Sequence, residues 1–166
     1  YATRTPNVGV SCRKEMFMSN PVCQPEPIDY DKEMLIYATT AYADAKQLQE
    51  KFIDIRKGLP PEIQLPAQRL SLRVSRYQHR IRIRWYYRDR MGKNHVLVRV
   101  CCYKTKSGRP YLKYDSRTFD LHIGGAEPDV RPMIEFENRV WLLINHAEDI
   151  SDICKERKIS LVPAAD

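Results

Sequence analysis

The sequence predicts an α+β domain: an antiparallel three- or four-stranded meander flanked by two long amphipathic helices, in the order α-β-β-β-(β)-α. Three observations predict it. Two stretches, one opening near residue 29 and one closing near 158, repeat their apolar residues every 3.5 positions. Between them, from residue 70 to about 101, the period falls to 2. Gly, Pro, Asn and Asp, the residues that close turns, sit where one period gives way to the next. With 166 residues there is enough chain for one such core. No apolar run reaches the roughly 18 residues of a membrane-spanning helix.

Residues 1–28 hold four prolines and no sustained period, and are expected to form an extended arm. Their start shows neither a basic-then-apolar signal pattern nor a methionine. Asp29 is the expected N-cap of the first helix, with Asp31 and Glu33 in the first turn, where the helix dipole favours acids. Met34, Ala38, Ala41, Ala45, Leu48, Phe52 and Ile55 form its seam, and the alanines leave room for a partner helix to come close. Lys57, Gly58 and the Pro60-Pro61 pair stop it. A proline-bounded connector follows.

Leu70, Leu72 and Val74 alternate with Ser71, Arg73 and Ser75, as expected of a half-buried strand. After a turn at Gln78 and His79, Ile81, Ile83, Trp85 and Tyr87 alternate with Arg80, Arg82, Arg84, Tyr86 and Arg88. The turn 89–94 leads to a third strand, with Val96, Val98 and Val100 assigned to the core face. A further turn at 104–110 leads to a possible fourth strand at 111–114, and 115–126 reads as irregular. Strands joined this closely must be antiparallel. Glu127, Pro128 and Asp129 suit the start of the closing helix, with Asp129 as cap. Its seam is Met133, Phe136, Val140, Leu143, Ala147, Ile150 and Cys154. The domain is therefore placed at 29–158, with a C-terminal tail at 159–166. The helices are left to pair with each other or, through the same seams, in a homodimer.

Charge is the main functional clue. The chain carries a net +7, yet residues 69–114 alone hold fourteen Lys and Arg against a single acid, Asp89. If the pleat holds, Arg73, Arg80, Arg82, Arg84 and Arg99 project from one face, with Lys113 extending the row. The turns add Arg88, Arg90 and Lys93 at one end, and Lys104, Lys106 and Arg109 on another connection. Guanidinium groups bind phosphate with two parallel hydrogen bonds, and Tyr86 on the same face is a candidate for stacking on bases. The competing reading is neutralisation by Glu135, Glu137, Glu148, Asp149 or Asp152 of the closing helix, inside the fold or across a dimer.

Nothing points to catalysis or a cofactor. His79, His95, His122 and His146 make no HxH or HExxH pair, and there is no GxSxG, Walker or GxGxxG loop. Cys12, Cys23, Cys101, Cys102 and Cys154 are odd in number and contain no CxxC, which excludes a disulfide framework or zinc site and favours a cytoplasmic, reducing setting.

The segment RLSLRVSRYQHRIRIRWYY (69–87), the Lys/Arg-rich meander and the helix RVWLLINHAEDISDICKERKI (139–159) resemble the MobI family of conjugative-transfer proteins. The likeness spans about residues 30–158; the proline-rich arm departs from it. It implies an accessory factor that binds duplex DNA at a transfer origin and assists a separate relaxase. The expected function is thus non-enzymatic nucleic-acid binding, with duplex DNA favoured and RNA possible. The alternative is a structural subunit of a larger assembly such as a ribonucleoprotein, its basic sheet facing RNA or partner acids. No membrane partner is expected.

Overall fold

In the computed structural model, residues 25–104, 111–115, 117–123 and 130–162 are described. Helix α1 spans Tyr30–Lys57 and begins as its capping signal requires: the Asp29 side chain accepts from the backbone N–H groups of Asp31 and Lys32, both at 3.2 Å. Gly58 follows its last turn. Ala38, Ala41, Ala45, Leu48 and Phe52 of the seam are buried. The closing helix, α3, spans Arg131–Glu156. Its cap is Val130, without a side-chain hydrogen bond, and the expected cap Asp129 lies outside the described residues. Pro132 in the first turn lacks only an N–H that has no intrahelical partner there.

The two seams meet each other, so the choice left open by the sequence falls within one chain. Contacts order the helices antiparallel: Arg157 Nε donates to Asp31 Oδ1 at 2.6 Å, Tyr37 meets the His146 ring edge-on, and Phe52 stacks on Phe136. The small side chains of α1 admit α3 at close range. Trp85, fully buried, packs edge-on against both Phe52 and Phe136 and ties the helix pair to the sheet.

The connector predicted after α1 contains a short helix, α2, Pro61–Ala67. Pro61 opens it, and Ile63 and Ala67 enter the core. Strands β1 (Leu70–Tyr77), β2 (Arg80–Arg88) and β3 (Asn94–Leu97) form the expected antiparallel meander, in the order β1-β2-β3. The fourth strand does not extend it. β4 (Arg99–Lys104), β5 (Tyr111–Tyr114) and β6 (Thr118–Ile123) build a second sheet, in the order β4-β6-β5. There β4 and β6 are parallel, and β5 and β6 antiparallel. The stretch read as irregular therefore contains a central strand.

The chain changes sheets at Val98, whose N–H donates to Arg117 O at 2.7 Å. Val96 pairs with the outward Tyr86 and is exposed, Leu97 pairs with the buried Trp85, and the break after Leu97 shifts the pleat so that Val98 is exposed and Val100 buried. This corrects the core face assigned to Val96 and Val98; Val100 is buried as expected. The two sheets meet around Tyr87, whose ring lies 4.9 Å from Tyr114 and 5.0 Å from Phe119, centroid to centroid.

Packing continues past α3 into the tail. Lys158 takes a left-handed turn (φ 57°), and Ile159 and Leu161 are buried. Leu161 N–H donates to Gln78 O at 2.7 Å, and the His79 imidazole Nδ1 contacts Ile159 O. The tail thus clamps the β1–β2 turn, where Gln78 is itself left-handed (φ 50°). No helix among the described residues is long and apolar enough to cross a membrane.

Candidate nucleic-acid interface

The β1–β2 pairing decides which side chains share a face. Leu70 pairs with Tyr87, Leu72 with Trp85 and Val74 with Ile83, all turned to the helices. The intervening pairs, Ser71 with Tyr86, Arg73 with Arg84, Ser75 with Arg82 and Tyr77 with Arg80, must face the other way. Arg73, Arg80, Arg82, Arg84 and Arg88 are all exposed on this outer face. Alternate residues along β2 lie about 6.8 Å apart, close to the separation of successive phosphates on a nucleic-acid strand. Arg90 and Lys93 are exposed in the following turn.

Two tyrosines lie beneath the arginines. The Arg73 guanidinium sits 4.7 Å from the Tyr86 ring centroid, and that of Arg82 sits 5.9 Å from Tyr77. The Arg73 guanidinium therefore covers the Tyr86 ring on this face. Tyr77 was missed in the sequence, although it continues the odd-numbered outward phase of Arg73 and Ser75.

The lone acid of the basic block does not neutralise the row. Asp89 turns inward on its own loop: Oδ1 accepts from the N–H groups of Met91 and Lys93, both at 2.9 Å, and Oδ2 lies 2.7 Å from His95 Nε2. The hydrogen bond with His95, and then that from the Lys93 backbone, hold its carboxyl below the ordinary 3.8. Gly92 closes this turn at φ 82°. Among the described residues, none of the five outer-face arginines forms an ion pair.

Arg99 is not part of this face. It belongs to β4, where its Nη2 donates to Glu137 Oε2 at 2.8 Å and its Nε to Glu137 Oε1 at 3.2 Å. Its guanidinium lies 4.6 Å from the Trp141 ring. The bonds to Glu137 raise the Arg99 pKa above its already high value. Glu137 is 5% exposed, so internal charge pairing is realised here with one of the predicted acids. Lys113 also leaves the row: it stands on β5, opposite Asp120 of β6. Arg76, by contrast, faces the helices and covers the Tyr42 ring at 4.7 Å. Lys104 ends β4, while Lys106 and Arg109 lie outside the described residues.

Among the described residues no cluster of three or more His, Cys, Asp or Glu is arranged to hold a metal ion. Burial pushes the Cys102 thiol up to about 12 and raises that of Cys154, which makes both poor nucleophiles near neutrality. No protein-family model, curated protein or solved structure matches the chain.

Proposed function

We propose that the protein is a non-enzymatic nucleic-acid-binding accessory factor, acting in the cytoplasm, that uses the outer face of β1 and β2 to grip phosphates. One observation carries the reading: five exposed arginines share that face, and none has an acid partner among the described residues. Such a row is costly to assemble for stability alone, because Arg73 and Arg84 stand directly opposite each other with like charge. A polyanion removes that repulsion. With Tyr86 covered by Arg73, affinity comes from backbone phosphates rather than base stacking. The resemblance to MobI-type proteins makes duplex DNA at a conjugative transfer origin the preferred target, and a relaxase the expected companion.

The test is binding to duplex DNA, duplex RNA and single strands over a salt series. Five phosphate contacts predict a slope of log K against log salt of about −4.5 for duplex DNA. Sequence-selective DNA binding with such a slope supports the origin-binding role. Preference for RNA moves the function to a ribonucleoprotein, and failure to bind any of them refutes nucleic-acid recognition.

A further inference from the structure

β3 pairs with β2 only from Trp85 to Arg88, and at Val98 the chain leaves for the second sheet. Among the described residues, the Arg80–Arg84 half of β2 therefore has β1 on one side and no strand on the other. The hydrogen bonds show which groups face that open side. Arg88 N–H donates towards β1, to Arg69 O, whereas Ile81 N–H donates away from it, to Ser151 Oγ at 3.0 Å. By strand alternation, both polar groups of Ile83 and the carbonyl of Ile81 also point to the open edge. Beside it runs a groove of about 300 Å³, whose opposite wall is Ile144, Glu148, Ser151 and Asp152 of α3.

The geometry points to a peptide-docking site: an extended segment of a partner protein adds to β2 antiparallel, along the track that β3 vacates, with charge alternating along its length. Its outward side chains fall beside Arg84, Arg82 and Arg80, which calls for carboxylates. Its inward side chains face α3. The one opposite Ile83 lies near Ile144 and is best apolar; the one opposite Ile81 lies near Glu148 and Asp152 and is best a lysine. The recognised core, read from its N-terminus, is Glu-Ile-Glu-Lys-Glu. Ser151 already holds the Ile81 amide, so the backbone ladder centres on Ile83 and the last two residues meet Ile81 and Arg80 through their side chains. A second copy pairing through its own β2 would set arginine against arginine, so the charges exclude self-association here. Glu148 and Asp152 likewise disfavour a nucleic acid inside the groove, while leaving the outer face open to one.

The test uses the full chain and a fluorescent peptide of about ten residues centred on Glu-Ile-Glu-Lys-Glu. One control has the same composition with Ile and the preceding Glu exchanged; a second carries an N-methyl group on Ile. Amide exchange of Ile83 is followed in parallel. The in-phase peptide is expected to bind at least about tenfold more tightly than either control and to slow Ile83 exchange by about tenfold. Ile144→Arg, on the groove wall, should weaken it by a similar factor. Equal binding of all three peptides would reduce the contact to charge alone and overturn the proposal, as would unchanged Ile83 exchange or no binding at roughly 1 mM. Slowing of Ile83 by an oligonucleotide but not by the peptide would assign the groove to nucleic acid and also overturn it. Because the phosphate-gripping role is read from oligonucleotide affinity and this one from the Ile83 amide, either can fail alone.

Discussion

On β2, Arg80, Arg82 and Arg84 are exposed along one face without an ion pair among the described residues, while on β4 Arg99 is held by two hydrogen bonds to the buried carboxylate of Glu137. The same side chain has opposite consequences in the two sheets. Removing an unpaired, exposed arginine relieves repulsion and costs the fold little. Removing Arg99 strands a carboxylate that is 5% exposed, and desolvation then acts with nothing to offset it. Charge density along the sequence treats all four alike; only the sheet each belongs to separates binding from structure.

The largest expected effect tests the open face. Changing Arg80, Arg82 and Arg84 together to Ala should lower duplex-DNA affinity about 100-fold at low salt, and flatten the salt slope by about 2.7, with thermal stability nearly unchanged. Unchanged affinity in a folded variant would remove this face from binding. Arg99→Ala is the counterpart: a loss of about 2 kcal/mol of stability in urea denaturation, with affinity altered less than about twofold. Weakened binding by a fully stable Arg99→Ala protein would erase the distinction between the two sheets.

Gly92→Ala should cost about 1 kcal/mol, because an L side chain is strained at φ 82°, and should leave the salt slope intact. The smallest effect concerns pH. Asp89 and Asp115 both have carboxyls held below the ordinary 3.8, Asp89 chiefly by His95 and Asp115 by the N–H groups of Arg117 and Thr118. A lowered folded value favours the fold above 3.8, and that contribution is lost as pH falls through the lowered value. Amide NMR of Gly92 and Arg117 should show both turns loosening only below about pH 4, and loosening between pH 5 and 7 would contradict it.

Much of the fold is legible in the sequence. Asp29, the alanine seam and Gly58 carry local signals, and the residues of β1 and β2 alternate so cleanly that only one face can be buried. The sheet change at Val98 was not legible, because apolar residues occupy both phases of VLVRVCC and period 2 then chooses neither. β6 does alternate, with Phe119 and Leu121 buried, but its parallel partner β4 is not its neighbour in sequence, and pairing of that kind leaves no local trace. The outer-face arginines were placed correctly for this reason, and Arg99 and Lys113 were not. The acid that takes Arg99 lies 38 residues on, in another element.

The clamp on the β1–β2 turn has a consequence for biosynthesis. The backbone that secures His79 belongs to Ile159, 80 residues downstream. At roughly 5–20 residues per second, a ribosome needs about 4–16 s to make that stretch. During this interval the nascent arginine hairpin has emerged without its latch, and an isolated two-stranded ribbon is marginal in water. The basic surface therefore matures only once the closing helix and the residues that follow it have left the exit tunnel.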